Sequence, residues 1–124
     1  MEFIATPNAP AAIGPYSQGV VSHHVLYTSG QVALDPATGN IVDGDFSKQA
    51  RRVFDNLSAV LTAAGTSFGN VLKATVYVTD LTNFGTLNTI YEEYFGSHKP
   101  ARTTVQVSGL PKGALVEIDF IAVV

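Results

Sequence analysis

The stretch Phe46-Ser47-Lys48-Gln49-Ala50-Arg51-Arg52-Val53-Phe54-Asp55-Asn56-Leu57-Ser58-Ala59-Val60-Leu61-Thr62-Ala63-Ala64-Gly65 and, a short turn later, Leu72-Lys73-Ala74-Thr75-Val76-Tyr77-Val78-Thr79 decide the fold class. In the first, Phe46, Ala50, Val53, Phe54, Leu57, Val60, Leu61 and Ala64 recur at steps of three and four, one face of a helix of about five turns. Asp45 can accept from the free amides of its first turn, and Gly65 can close its last. Arg51, Arg52, Asp55 and Ser58 fall between the apolar positions and read as its solvated face. In the second, Leu72, Ala74, Val76 and Val78 alternate with Lys73, Thr75, Tyr77 and Thr79, the pattern of a strand with one buried face.

Outward from this pair, Val20-Val21 and Val25-Leu26-Tyr27-Thr28 flank Ser22-His23-His24 and read as two strands joined by a tight turn. An extended piece, Gly30 to Leu34, ends at the turn signal Asp35-Pro36-Ala37-Thr38-Gly39-Asn40. After Asp80, the residues Phe84, Leu87, Tyr91, Tyr94 and Phe95 mark a second helix ending at Gly96, with Tyr91 assigned to the core. Two strands close the chain, Thr103 to Ser108 and Leu115 to Val124. The order strands, helix, strand, helix, strands predicts an α+β fold, a mixed β-sheet with two α-helices packed on one face. The other face is expected to carry Lys73, Thr75, Tyr77 and Thr79, Arg102, Thr104 and Gln106, and Glu117, Asp119, Ile121 and Val123. That mixture is too polar for a core and too apolar for open water, which suits a subunit interface holding a polar cleft.

The bulk numbers bound the function. A chain of 124 residues predicts one domain, 1–124, with a core that stands without staples. With no cysteine, disulfides, thiolate metal sites and a cysteine nucleophile are excluded. A net charge of -3 with scattered Lys and Arg lacks the footprint of a nucleic-acid binder, so no nucleic acid is expected as a partner. No run approaches a membrane span, and Glu2 and Pro7 in the first residues are unlike a signal peptide, so a cytoplasmic protein with no membrane partner is expected. His23, His24 and His98 have no companions at metal-ligand spacing; they read as surface residues, and no metal or cofactor is expected.

Chemistry is expected where charge enters apolar strands. Pro100-Ala101-Arg102-Thr103-Thr104-Val105-Gln106-Val107 and Val116-Glu117-Ile118-Asp119-Phe120 place one arginine and two carboxylates among strand-forming residues. Burying a lone ion costs several kcal/mol, roughly, so such charges either alternate outward or serve a site. Arg102 is the one arginine outside the helix face, and its planar fork suits a carboxylate. Glu117 and Asp119 lie two apart on one strand face, and Asp119 is assigned to a solvated edge.

A set of strings in order carries a family resemblance: Ala12-Ile13-Gly14-Pro15-Tyr16-Ser17-Gln18-Gly19, Thr28-Ser29-Gly30-Gln31, Asp35-Pro36 with Gly39, Asn56-Leu57 with Ala63-Ala64-Gly65, Val76-Tyr77-Val78-Thr79-Asp80-Leu81, Asn88 with Tyr91, Pro100-Ala101-Arg102, Leu110-Pro111-Lys112-Gly113 and Val116-Glu117-Ile118. Together they resemble the Rid/YjgF family of reactive-intermediate deaminases, most of all its RidA subgroup. The resemblance implies a chorismate-mutase-like fold and a homotrimer with three clefts between neighbouring subunits. It also implies hydrolysis of small-molecule 2-imino acids, such as 2-iminobutanoate and 2-iminopropanoate, to 2-oxo acids and ammonia. Carried over residue by residue, it makes Arg102 and Glu117 catalytic, with Arg102 anchoring the carboxylate and Glu117 orienting and deprotonating water. Tyr16, Ser29, Gly30, Asn88 and Thr104 become substrate-binding: Tyr16 a pocket wall, Ser29 a hydrogen-bonding group, Gly30 a point of close backbone approach, Asn88 a polar edge. Many relatives carry cysteine where Thr104 stands, and with no base placed by sequence to activate the threonine, a covalent route is not expected. Two other functions use the same residues differently. A small-carboxylate-binding regulatory module would need Arg102 but not Glu117, and an RNA-acting translation inhibitor would need a basic groove.

Overall fold

Helix α1 (Phe46–Ala63) starts where the Asp45 side chain accepts from the Lys48 amide at 3.1 Å. It ends where Gly65, at φ +80°, lets the Thr66 amide reach Leu61 O at 2.9 Å and its own amide reach Thr62 O at 3.0 Å. That is the paired bond pattern of a glycine-terminated helix, in a left-handed conformation costly for residues with a Cβ. Its apolar stripe is buried from Phe46 through Leu61. The structure of the chain, a computed structural model, describes residues 1–124.

Six strands form one sheet: β1 (Glu2–Ile4), β2 (Gly19–Ser22), β3 (Val25–Thr28), β4 (Val71–Val78), β5 (Ala101–Gln106) and β6 (Val116–Val123), ordered β1-β2-β3-β6-β4-β5. All neighbours are antiparallel except β4 and β5, which run parallel and are joined through helix α2 (Phe84–Phe95). A parallel pair requires such a crossover, so the second helix lies beside the sheet edge that carries Arg102. The β2–β3 hairpin turns on His23 and His24 at φ 51° and 64°, both central residues left-handed, which matches the twist of the flanking strands. Both helices cover one face, over a core in which Phe54 meets Tyr91, Tyr94 and Phe95, and Phe95 and Phe68 meet Phe120. The other face is open and carries the exposed apolar side chains Phe3, Tyr27, Val105 and Val123.

Three expectations are corrected. Arg102, Thr104 and Gln106 pair with Ala74, Val76 and Val78, the buried residues of β4, and so share the helix-covered face; Thr103 and Val105 take the open face. The alternation in β5 is ambiguous because both faces of an edge strand are partly wet, and only the register against β4 assigns them. Leu72 is half exposed, with Val71 buried in its place. Val71 pairs with Ala122 and Lys73 with Ile121, so Leu72 is the extra residue of a β-bulge that resets the alternation. Gly30 to Leu34, the piece read as extended, is held by single bridges from Gln31 to Ile118 and from Leu34 to Ile41. Finally, His98 is not a plain surface residue: its Nε2 lies 2.7 Å from Val71 O.

No helix is long and apolar enough to cross a membrane.

Candidate active site

Arg102 leaves β5 on the side of α2, and α2 is built to receive it. Phe84, Asn88 and Tyr91 are spaced four and three apart, so they stand in one stripe of that helix. Arg102 Nη1 donates to Asn88 Oδ1 at 2.8 Å, and its guanidinium carbon lies 4.8 Å from the centre of the Tyr91 ring and 5.4 Å from that of Phe84. The protein's one salt bridge joins Arg51 to Glu93 between the helices, so no carboxylate occupies the Arg102 fork. The cleft beside it measures about 350 Å³ and is lined by Asn88, Tyr91, Phe95, His98, Lys99 and Arg102 among others. Thr104 lies two residues along the same face with its hydroxyl buried and unpartnered, as is the hydroxyl of Tyr91.

Glu117 stands elsewhere. It pairs with Tyr77 and projects from the open face of the sheet, beside Asp119, which pairs with Thr75. Gln31 and Ile118 exchange backbone hydrogen bonds at 2.9 and 3.1 Å, and this holds Gly30 so close that a methyl group there would collide with the Glu117 carboxylate. Ser29 donates its amide to Gln18 O at 3.0 Å and its hydroxyl to Ser17 O at 2.5 Å. Tyr16, 53% exposed, precedes that contact in the loop. The loop is held by Gln18, whose buried amide accepts from Thr6 N at 2.7 Å and donates to Pro10 O at 2.8 Å and Thr6 O at 3.1 Å. Burial, and then the charge of Asp119, push the Glu117 carboxyl above its ordinary range; burial does the same for Asp119.

The residues expected to act together therefore form two groups. Ser29, Gly30 and Glu117, with Tyr16 in the adjoining loop, sit on the open side; Arg102, Asn88 and Thr104 sit on the helix side. Because alternate strand residues face opposite ways, Arg102 and Glu117 leave opposite faces of the sheet within one protomer. Sequence reasoning had no role for Gln18, for which a buried amide in a loop leaves no periodic signal, and it assigned Tyr91 to the core. Tyr91 does pack on Phe54 and Phe95, but it also lines the Arg102 cleft.

The family model described as endoribonuclease L-PSP matches residues 6–124. The crystal structure of YyfA from Yersinia pestis, of the conserved Rid protein family, has 49% sequence identity and a TM-score of 0.97, covering 99% of this chain and 98% of that one. The chain belongs to the Rid family. Among its relatives, this Rid protein is 50% identical over 121 residues to the RutC family protein PH0854 of Pyrococcus horikoshii, covering 98% of this chain and 96% of that protein. It is 48% identical over 122 residues to the 2-iminobutanoate/2-iminopropanoate deaminase of Bos taurus, covering 98% of this chain and 89% of that protein. The six-stranded mixed sheet with two helices on one face is the Rid fold expected from the sequence.

Proposed function

We propose that this Rid protein hydrolyses 2-imino acids and their enamine tautomers to 2-oxo acids and ammonia, in a site completed between copies of the chain. The carrying observation is the Arg102 fork, fixed by Asn88 and left without a carboxylate of its own. A carboxylate bound there bidentately would present the adjacent C=N carbon in a fixed direction. The naming of the Bos taurus relative supports this substrate class.

Hydrolysis requires the enamine to take a proton at carbon, giving the iminium, the same species that the imine gives on protonation at nitrogen. Water then adds its oxygen to C2 and yields a proton to a base, the amino nitrogen of the resulting carbinolamine gains a proton, and the C–N bond breaks to release ammonia as the hydroxyl loses its proton and the carbonyl forms. Glu117 is assigned the base, because its raised pKa brings it nearer the operating pH than an ordinary carboxylate. Gly30 borders that carboxylate, with Ser29 next to it in the chain, and Asn88 borders the anchor, with Thr104 two residues along the same strand face; these are assigned to substrate binding. The open sheet face, bearing Glu117 together with exposed Tyr27 and Val105, is where a second copy would dock, and the trimer is the assembly proposed. The -3 charge offers little attraction to a polyphosphate backbone, which favours a small acid over RNA.

A second reading, a small-carboxylate-binding module, is favoured by the fact that the Arg102 cleft lies within one protomer. It is separated by Glu117→Gln, which that reading leaves without effect on any measured property of the cleft. The decisive experiment follows loss of freshly generated 2-iminobutanoate, trapped as its semicarbazone, with Arg102→Ala and Glu117→Gln preparations alone and after mixed refolding. Each variant alone is expected to be inactive. In mixed oligomers about a quarter of interfaces join an intact Arg102 to an intact Glu117, so about that share of wild-type activity should return. No return on mixing refutes the composite site, and normal turnover by either variant alone refutes its role.

A further inference from the structure

We propose that Tyr91 is a positioning residue for the Arg102 guanidinium, an inference that rests on Arg102 being the carboxylate anchor. An arginine on an edge strand has one strand neighbour and a long, freely rotating side chain, so its fork needs an external reference. Asn88 supplies one within the guanidinium plane, by the 2.8 Å bond to Nη1. A second contact must fix the plane itself. The Tyr91 ring, 4.8 Å below the guanidinium carbon, supplies it, with Phe84 farther away at 5.4 Å.

The chemistry of this contact suits an anchor better than an ion pair would. A carboxylate beside Arg102 would neutralise it and occupy the donors that a substrate needs. An aromatic face attracts the cation through its quadrupole and leaves the edges of the fork free. Tyr91 is itself held rigidly, edge-on to Phe54 at 5.8 Å and stacked with Phe95 at 4.4 Å, so the guanidinium is referenced to the core. Its hydroxyl is buried without a partner within the chain, and the contact with Arg102 is made by the ring face.

The test measures KM and kcat in the trapping assay, and binding of 2-oxobutanoate by calorimetry, for Arg102→Ala, Tyr91→Phe, Tyr91→Leu and the unbranched, gap-filling Tyr91→Met. Urea denaturation of each establishes that it is folded. Tyr91→Leu and Tyr91→Met are expected to weaken binding and raise KM roughly 3- to 30-fold, the range of a cation–π contact, with kcat moving less. Tyr91→Phe, which keeps the ring, should restore both values to within about twofold of wild type, a rescue that a hydroxyl-based role does not allow. If Arg102→Ala loses 2-oxobutanoate binding while folded Tyr91→Met binds as wild type, the positioning role is overturned and the anchor stands. If Tyr91→Phe falls as far as Tyr91→Met, the ring is not the operative group and the proposal is overturned. If Arg102→Ala binds as wild type, the anchor itself fails and the proposal with it.

Discussion

Replacing Gly30 by alanine should separate catalysis from folding. Gly30 is outside the left-handed region, so an added methyl brings no backbone strain of the kind expected at Gly65 or Gly96. Its three nearest neighbours are all in the Glu117 side chain: Cδ lies 2.8 Å and Cγ 3.1 Å from the position the methyl would take, and the carboxylate oxygen is closer still. Ordinary contact begins at 3.4 Å, so the carboxyl carbon must retreat by at least about 0.6 Å. The far end of a flexible side chain can do this by leaving its rotamer, at a cost of about 0.5–1.5 kcal/mol, which leaves the protein folded. Catalysis is less forgiving, because displacing a reacting group by about 1 Å can cost about 100-fold. We expect Gly30→Ala to lose roughly 10- to 100-fold in kcat/KM for 2-iminobutanoate while its urea midpoint falls by no more than about 1 M and the protein stays folded. In a Glu117→Ala background, where the obstruction is gone, Gly30→Ala should add nothing, since the two changes act on one group. Wild-type turnover by Gly30→Ala would refute the reasoning, for it would mean that the carboxylate need not stay where the fold puts it.

Arg102→Lys should lose most of the kcat/KM, roughly 10- to 100-fold for each charge-assisted hydrogen bond that a point charge fails to replace; steady-state kinetics checks this. The Glu117 carboxyl is raised first by burial and then by Asp119. As a base it must be ionised, so kcat/KM should fall as pH falls through this raised value, starting at a higher pH than for a free glutamate. Asp119→Asn removes the neighbouring charge and should move that acidic limb to lower pH, and an unmoved limb in a pH–rate profile would sink the assignment of Glu117 as base. Asn56, fully buried, donates to Val32 O at 3.2 Å and Leu34 O at 2.9 Å and accepts from Arg52 Nε at 3.0 Å. Asn56→Ala leaves those groups unpaired and should cost about 1–3 kcal/mol in urea unfolding, by loosening the segment that follows Gly30.

Helix α1 and the hairpin at His23-His24 were legible because their signals are local: a capping aspartate, a 3–4 spacing, a glycine stop, and two apolar runs across a short polar turn. Strand β4 was legible in kind but misread at its start, because one bulged residue shifts the alternation without leaving any mark in composition. The segment Gly30 to Leu34 reads as extended but lacks a continuous partner: Asn56 takes the Val32 and Leu34 carbonyls, while the Ile118 and Val42 amides take those of Gln31 and Ala33. Of the candidate site, the strings around Tyr16, Ser29, Gly30, Asn88, Arg102, Thr104 and Glu117 identified which residues to examine. Their grouping was not legible, because it depends on pairing between strands far apart in the chain.

By itself the sequence determined the α+β class, the two helices on one face, the Rid family and the residues that carry charge into apolar strands, all of which follow from short-range periodicity and motif. The tertiary structure alone decided that Arg102 faces α2 and Glu117 faces away from it. A strand's side chains alternate with period two, so a shift of one residue in pairing exchanges its faces, and for an edge strand such as β5 only the register against Ala74, Val76 and Val78 fixes which face is which.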